Sequence, residues 1–517
     1  MTQPTYRKTG YWLIRAKKNK KVKETTVVAG ILAYGGYIPK SRLQRSEIFK
    51  AHAWVNPGLK GLSRGERSMA NWDEDSVTMA VEAARDCLTS HDRETLSAVY
   101  MASTTFPFAD RQNAGIVADA LNLKAGLQTV DFASSQRAGS SALSLALQAA
   151  QGADNPVLVT ASEKRRTKAA SPLEFTTGDG AAALLIGEGN VIAKCLGSHT
   201  EAVDFVDHFR GEEESYDYTW EERWVRDEGY MKIVPAAITA VLEKSAVSPA
   251  DITTFCFPVA ARNVAAGIAK KMGFEESAVA DNLQANCGET GAAHALVMLV
   301  HALETAKPGD KILVASFGQG SDTLLFEVTD AISDLPARSG ISGALARRKE
   351  ETNYNRFMAF NNLVNMELGI RAEVDKNTGL TTLYRNRKMA QRMMGGKCSK
   401  CGTAQFPKAR MCVNENCGAI DTQEDYPFAD KLGTMNSYTA DRLTFSPDPP
   451  AYYGMIQFEE GGRLMSDFTD IDPNEELTVG MNMKMMFRIK DYDHKRGFRR
   501  YFWKATPVDA DATTKGD

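Results

Sequence analysis

Between residues 27 and 330, short apolar runs alternate with segments whose apolar residues recur every three or four positions. Such short runs are typical of buried strands, and the periodic segments are typical of amphipathic helices. In the first half the predicted strands are 27–39, 97–103, 127–133 and 155–163, and the predicted helices are 75–90, 111–123 and 138–151. The alternation predicts an α/β fold.

The same order returns in the second half of this region. Helices are predicted at 232–245, 263–273 and 291–306, with strands at 252–260, 310–320 and 322–330. The clearest echo pairs NPVLVTASEK with DKILVASFGQG, because each is a Val/Leu strand that precedes another apolar strand. Two similar halves predict a duplicated domain with its site at their junction.

The pattern changes after residue 330. Residues 331–395 are charged and patchily apolar, which predicts a linker with helices that dock on a neighbouring surface. Beyond residue 423, β-rich segments are separated by turns at 460–462 and 472–474. About five short antiparallel strands of this kind are typical of a small closed barrel.

Four cysteines near the end of the chain are spaced as two close pairs, C-x2-C-x10-C-x4-C. They are Cys398, Cys401, Cys412 and Cys417. A glycine directly follows each pair, so each pair can form a tight turn, and four thiolates together favour tetrahedral zinc. Four protein ligands leave no open position for a substrate. The array therefore predicts a structural zinc, with the chemistry elsewhere.

Composition narrows the class of protein. The 517 residues are 43% hydrophobic and carry a net charge of -3, which argues against nucleic acid as the main partner. A membrane span needs about 18 consecutive apolar residues, and the sequence has no such run. Residues 1–26 are basic and predict a flexible tail. Isolated cysteines elsewhere, and a zinc ribbon that requires reduced thiols, favour the cytoplasm.

Three segments carry a resemblance to the thiolase superfamily, most of all to its 3-hydroxy-3-methylglutaryl-CoA synthase and type III ketoacyl synthase branch. They are FTTGDGAAALLIGEG at 175–189, NCGETGAA at 286–293 and PGDKILVASFGQGSDTLLFEV at 308–328. The resemblance implies a five-layered αβαβα fold, usually dimeric, that binds acyl thioesters of CoA or carrier protein.

The C-terminal region, about 390 to 510, resembles the OB-fold family with a rubredoxin-like zinc ribbon that accompanies thiolases. In that family the module is a separate subunit that docks on the thiolase and helps to hold its CoA substrate, which leaves open a further thiolase-like partner. The expected division is a tail (1–26), two thiolase-like halves (27–190 and 191–330), linker and docking helices (331–395), zinc ribbon (396–422), OB-fold barrel (423–510) and a short tail (511–517).

The resemblance breaks at the catalytic centre. In the family, a strand ending in Asp leads five residues later to a nucleophilic Cys, and Asp131 places Gln136 at that position. An amide cannot form an acyl-enzyme, so acyl transfer through this position is chemically excluded. The family's catalytic His is replaced by Val259, and its Asn by Glu289.

These replacements suggest a different chemistry. Glu289 in a partly dry pocket could act as general acid or base, with Gln136 and Arg137 as donors to a substrate oxygen. The backbone around Gly288, Phe317, Gly318 and Gly320 is expected to bind the substrate and to stabilise a thioester enolate. Such a site would make or break a carbon–carbon bond of an acyl-CoA by an aldol or Claisen step, as a transferase or lyase.

Several alternatives stay open. Glu289 could simply pair with Arg137 or Arg262, and Cys287 and His294 on the same turn could be core residues. Nearby hydroxyls could replace the nucleophile if the register slips, although they fit packing and capping roles better; they are Ser134, Ser135, Ser140 and Ser141. The loss of all three usual catalytic groups also fits a catalytically silent acyl-CoA-binding or partner subunit.

Overall fold

The computed structural model describes residues 28–508, so the two predicted tails, 1–26 and 511–517, lie outside the described residues. Within residues 28–508, no helix combines the length and hydrophobicity needed to cross a bilayer.

The first half of the α/β region contains seven strands and five α-helices. In chain order they are β1 (Gly30–Tyr37), β2 (Ser41–Gln44), α1 (Arg45–His52), β3 (Glu66–Met69), α2 (Ser76–Cys87), β4 (Ala98–Ala102), α3 (Asn113–Ala120), β5 (Gln128–Phe132), α4 (Ala138–Ala150), β6 (Val157–Glu163), α5 (Pro172–Thr176) and β7 (Gly180–Gly187). Each strand and helix predicted in this half is present.

The second half follows the same plan with a different insertion. Its elements are β8 (Ala193–Ala202), β9 (His208–Phe209), β10 (Tyr218–Thr219), α6 (Glu222–Trp224), a π-helical turn (Val225–Tyr230), α7 (Met231–Ser245), β11 (Thr254–Cys256), α8 (Val264–Met272), α9 (His294–Leu303), β12 (Lys311–Phe317) and β13 (Gly320–Val328).

The sheet order confirms the duplication. Nine strands form one sheet in the order β11-β12-β13-β8-β1-β7-β6-β4-β5. Going outward from β1 and from β8, the pairings are antiparallel, antiparallel and parallel in both halves. The counterpart of β5 is reduced to a single parallel bridge between Phe255 and Val279. The two halves join at Gly30, where β1 pairs with β8. A Cβ added at this glycine would lie only 2.3 Å from the Ala193 carbonyl oxygen.

Helices and sheets are layered as the resemblance implies. Helices α4 and α9 pack between the sheet halves through a fully apolar cluster that includes Leu143, Leu147 and Leu299. On α4 the buried residues recur at helical spacing, which explains why this segment forms an amphipathic helix. Helices α2 and α3 cover one outer face, and α7 and α8 cover the other. The αβαβα architecture is confirmed.

Residues 331–395, predicted as a linker with docking helices, also contribute elements to the α/β region. The segment contains α10 (Gly340–Ala346), β14 (Lys349–Glu351), α11 (Tyr354–Phe360), α12 (Leu380–Arg385) and α13 (Arg387–Ala390). Strand β14 pairs in parallel with β2 and completes a small sheet with β3. Phe357 of α11 is buried against Phe175 of α5, so this part of the predicted linker belongs to the α/β region.

The C-terminal region is a ribbon followed by a barrel. The ribbon contains β15 (Met394–Cys398), β16 (Ala404–Gln405) and β17 (Gln423–Pro427); the barrel contains β18 (Gly433–Asp441), β19 (Ala451–Phe458), β20 (Arg463–Asp467), β21 (Asn482–Asp493) and β22 (Phe498–Pro507). The five barrel strands are antiparallel neighbours, and a bridge between Phe468 and Ala505 brings the two ends together. The predicted barrel is confirmed.

A buried network of charges joins the barrel to α2. Three acidic residues, Asp73, Glu74 and Asp75, precede the helix, and Asp75 also caps it by accepting from the backbone N–H of Thr78. Barrel cations reach each of them: Lys504 to Asp73 at 2.8 Å, Arg488 to Glu74 at 3.0 Å and Arg499 to Asp75 at 2.9 Å. The barrel is therefore fixed to the α/β region by ion pairs that are almost free of solvent.

We expect Arg488→Met to destabilise the protein by about 3–5 kcal/mol, because removing one partner of a buried ion pair leaves uncompensated charge. Arg488 has no exposed side-chain area and pairs with both Glu74 and Asp470. The measurement is the urea concentration at the midpoint of unfolding. Arg410→Met is the matched control, because the ion pair of Arg410 with Asp421 is exposed on both sides and contributes little. Equal midpoints for the two variants would contradict the role of the network.

Candidate functional site

Gln136 lies in the turn between the end of β5 and the start of α4, directly before the N-cap residue Arg137. Backbone N–H groups at this end of a helix have no intrahelical acceptor and lie at the positive end of the helix dipole. Within the described chain, the N–H of Gln136 has no hydrogen-bond acceptor. The position predicted for the missing nucleophile is thus a turn that can donate to an anionic oxygen.

A chain of hydrogen bonds orients the Gln136 side chain. Its amide nitrogen donates to the Thr104 hydroxyl at 3.4 Å, and that hydroxyl donates to a carboxylate oxygen of Glu163 at 3.0 Å. Glu163 has no solvent exposure and also accepts from the backbone N–H groups of Thr104 and Ala292. Burial raises the pKa of Glu163, against the effect of these donors. The Gln136 amide oxygen is buried and accepts no hydrogen bond from the described residues.

Glu289 pairs with Arg165. The guanidinium of Arg165 lies 3.2 Å from Glu289 Oε2 and 2.5 Å from Asp217 Oδ2. The alternative pairing of Glu289 with Arg137 or Arg262 is wrong. The carboxylate pairs instead with Arg165, which lies just after β6. Glu289 keeps 18% of its side chain exposed, whereas Asp217 keeps only 4%. Glu289 is therefore the partner that a ligand can reach.

Gly291 brings the two halves of the site together. It has a φ of +56°, and a Cβ placed there would stand 3.0 Å from the Gln136 amide oxygen and 3.1 Å from Arg165 Cδ. Only glycine fits this close approach without displacement. Gln136 and Arg165, the ion-pair partner of Glu289, therefore border the same small space.

Arg137 points away from Glu289. Its guanidinium donates to the Gly318 carbonyl oxygen at 2.9 Å and forms an ion pair with Asp322 at 2.8 Å. Asp322 also accepts from the hydroxyls of Ser140 and Ser141. Arg137 and these serines thus form a network that holds the start of α4 against β13.

The residues expected to bind substrate have mixed positions. Gly318 packs against the backbone nitrogen of Gln136, so its loop borders the site. Its own N–H donates to the Gly320 carbonyl at 3.0 Å and is therefore engaged within the loop. Phe317 is 7% exposed and its ring lies 4.9 Å from that of Tyr230. Gly288 has a φ of +81° and packs on the Thr177 carbonyl, which is a structural role.

The remaining cysteines supply no thiolate to the site. Cys287 is fully buried, and burial raises its pKa to about 12. His294 is also fully buried; its Nδ1 accepts from the Thr290 N–H and its Nε2 contacts the Asn282 carbonyl. Cys287 and His294 are therefore core residues, which was one of the alternatives that the sequence left open. Val259 is 4% exposed and packs in the cluster of α7 and α8.

Sequence reasoning missed the groups at the carboxyl ends of β4 and β6. Thr104 follows β4, Glu163 is the last residue of β6, and Arg165 follows β6. Asp217 comes from the inserted segment before α7. A signal was present, because ligand sites in α/β folds form beyond the carboxyl ends of parallel strands. The polar run SEKRR at 162–166 stands at such an end.

The four zinc-site cysteines meet as predicted. All four sulfur atoms lie within 4.8 Å of one another; Cys398 and Cys417 are 3.9 Å apart, and Cys401 and Cys412 are 3.5 Å apart. Tetrahedral zinc with sulfur ligands at about 2.3 Å requires separations of about 3.8 Å. Gly402 and Gly418 have φ of +76° and +53° and form the turn after each pair. The donor set fits a structural zinc.

Replacing Cys398 and Cys401 together by Ser should remove zinc and unfold the ribbon, because metal binding to such sites contributes to the folding free energy. Zinc content per chain by elemental analysis is the measurement, with near-ultraviolet circular dichroism to follow the barrel. The control is Cys87→Ser, in a buried cysteine outside the array. An intact ribbon without metal would refute the structural role.

Three known families match parts of the chain. Residues 242–324 match "3-Oxoacyl-[acyl-carrier-protein (ACP)] synthase III C terminal". Residues 385–421 match the ChsH2 rubredoxin-like zinc ribbon domain, and residues 429–488 match the ChsH2 C-terminal OB-fold domain. These matches cover the later part of the second α/β half, the ribbon and most of the barrel.

Relatives that align over nearly their full length match the α/β region of this chain. The hydroxymethylglutaryl-CoA synthase of Aeropyrum pernix is 33% identical over 330 residues, which are 62% of this chain and 91% of the relative. That of Methanocaldococcus jannaschii is 30% identical over 348 residues, 66% of this chain and 100% of the relative. A solved HMG-CoA synthase complexed with CoA shares the fold, with a TM-score of 0.54, 19% identity and coverage of 66% of this chain and 92% of that one. The chain therefore belongs to the hydroxymethylglutaryl-CoA synthase family and carries a ChsH2-type zinc ribbon and OB-fold at its C-terminal side.

Proposed function

We propose that this protein is an acyl-CoA enzyme that forms or cleaves a carbon–carbon bond without a covalent acyl-enzyme. One observation carries the proposal: Gln136, which the sequence places at the position of the family nucleophile, borders the same space as Arg165, and Arg165 pairs with the partly exposed carboxylate of Glu289. The relatives named hydroxymethylglutaryl-CoA synthase support a CoA thioester as the substrate. An amide has no nucleophilic role, whereas a carboxylate can accept a proton.

The cleavage direction is a retro-aldol step on a 3-hydroxyacyl-CoA. Glu289 accepts the proton of the 3-hydroxyl, the C2–C3 bond breaks, and C3 leaves as a carbonyl compound. The electron pair of that bond forms the enolate of the shorter thioester, which is then protonated at C2. The reverse sequence is an aldol addition, and both directions balance without any oxidant or reductant.

The surrounding groups stabilise the charges in this step. The backbone N–H of Gln136 would donate to the thioester enolate oxygen, as oxyanion donors at helix N-termini do. The Gln136 side chain orients the substrate through its unoccupied amide oxygen. Arg165 holds the Glu289 carboxylate in place, and Asp217 holds Arg165. Arg137 acts as a positioning residue for the start of α4.

The C-terminal module supports the α/β region in this proposal. The ribbon and barrel are in the same chain as the α/β region, which fixes their stoichiometry and raises their effective concentration. Strand β5 is an unpaired edge of the sheet, with exposed backbone groups suited to pairing with a second copy. We infer a homodimer of the thiolase type on this basis.

Glu289→Gln should abolish turnover, with a fall in kcat of at least about a hundredfold, because the amide cannot accept the proton. The substrates are a panel of 3-hydroxyacyl-CoA and 3-oxoacyl-CoA thioesters, with products followed by chromatography. Glu276→Gln, at an exposed site, is the matched control. Unchanged kcat in Glu289→Gln would remove Glu289 from the mechanism. Tight binding with no product from any thioester would instead favour the silent partner subunit.

No acyl adduct should accumulate on the protein during turnover. The prediction follows because Gln136 replaces the nucleophile and Cys87, Cys256 and Cys287 have no solvent exposure. Intact-protein mass spectrometry after rapid acid quench is the measurement, with a cysteine-containing ketoacyl synthase as positive control. A stoichiometric mass increase equal to the acyl group would contradict the non-covalent mechanism.

A further inference from the structure

A cavity of about 310 Å³ lies between the α/β region and the barrel. Its inner wall includes Thr104 at the end of β4 and Lys164 after β6. The barrel supplies Ile489, Tyr492 and Arg499 from β21 and β22. The docked barrel therefore forms one part of the cavity wall, and the α/β region forms the rest.

One residue, Thr104, connects the cavity wall to Gln136. Thr104 lines its wall and accepts the hydrogen bond of the Gln136 side chain at 3.4 Å. Arg210, also on the wall, donates to the Thr104 carbonyl oxygen and pairs with Asp217, which holds Arg165. A group bound in the cavity would therefore contact Thr104, which is hydrogen-bonded to Gln136, and Arg210, which shares Asp217 with Arg165.

Two cations on the wall have no carboxylate partner among the described residues. The Lys164 ammonium donates only to the carbonyl oxygens of Asn71 and Glu74, at 3.2 and 2.9 Å. The Arg166 guanidinium donates to the Asn362 carbonyl and to a hydroxyl at 3.5 Å, and its Nε is buried without a partner. Burial also lowers the pKa of Lys164.

The other charges of the wall are largely neutralised. Arg499 pairs with Asp75, and Glu74 pairs with Arg488 of the barrel. Glu214 is exposed. Lys164 and Arg166 therefore place N–H donors at the cavity that form no ion pair with a described carboxylate, which suits an anionic group.

Four aromatic side chains also line the cavity. Trp72, Phe106, Phe360 and Tyr492 all contribute to the wall. A cavity of about 150 Å³ holds one benzene molecule, so this one has room for a ring and several further atoms. Aromatic walls with a few placed polar groups are the usual lining of small-molecule sites.

We propose that this cavity binds the acyl part of the substrate thioester, and that its preferred acyl group carries both a ring and a carboxylate. The ring packs against Tyr492 and Trp72, and the carboxylate is held by Arg166 and Lys164. The barrel thereby selects the acyl group, in addition to closing the site. This inference rests on the proposed function as an acyl-CoA enzyme.

Binding of four CoA thioesters to the full-length protein tests the inference. Butanoyl-CoA has neither group, glutaryl-CoA has the carboxylate, 3-phenylpropanoyl-CoA has the ring, and 3-phenylglutaryl-CoA has both. None carries a 3-hydroxy or 3-oxo group, so none is cleaved by a retro-aldol step, and calorimetry reports the Kd alone. Each added group should tighten binding about tenfold, the size of one charge-assisted contact or one well-buried ring.

Two variants assign these gains to the cavity. Arg166→Gln should bring the Kd values of glutaryl-CoA and butanoyl-CoA to within about twofold, because the carboxylate loses its bidentate partner. Tyr492→Ala should remove the preference for the ring and leave the preference for the carboxylate. Tyr438→Ala is the matched control, because Tyr438 is 40% exposed on β18 of the same barrel and does not line the cavity.

The outcomes separate this inference from the function on which it rests. Equal affinity for all four thioesters would overturn the acyl assignment while leaving an acyl-CoA enzyme. Failure to bind any of the four would contradict the proposed function itself. If Arg166→Gln weakens free CoA as much as glutaryl-CoA, the cavity holds a CoA phosphate, and the acyl assignment is wrong.

Discussion

The buried ion pairs before α2 are the constraint on which the arrangement of the two regions depends. Three consecutive carboxylates, at residues 73–75, receive Arg488, Arg499 and Lys504 from the barrel. Removing such charges from water is costly, and only near-complete pairing offsets that cost. The network therefore admits one docking position of the barrel. A sliding or rotated barrel would leave at least one buried charge unpaired.

That docking position determines what surrounds the reacting centre. The same strands that carry the cations also place Ile489 and Tyr492 over the carboxyl ends of β4 and β6. The zinc ribbon directly precedes the barrel in the chain. If the proposed function holds, the barrel is part of the active-site wall, and the ion pairs that fix it also affect which substrate binds.

Much of the fold followed from local pattern. The α/β alternation, the duplication, the barrel and the cysteine array were predicted because each is written in short-range spacing of apolar residues, turns or thiols. The segment 331–395 was harder, since β14 is short and gains its stability only by pairing with β2, some three hundred residues away. For the site, the roles of Gln136 and Glu289 stay predictions, and the alternative that paired Glu289 with Arg137 or Arg262 was wrong because Arg165 forms that ion pair.

The sequence by itself determined that four thiols can hold one zinc, and it predicted that Gln136 replaces the family nucleophile, because both depend only on which residue occupies a given position. Tertiary structure decided the rest of the site. Arg165 and Glu289 are 124 residues apart, and Asp73 and Lys504 are 431 apart. Such pairings are set by how strands and helices stack, since a side chain reaches only a few ångströms from its backbone. Which charge meets which carboxylate is therefore a property of the packed molecule.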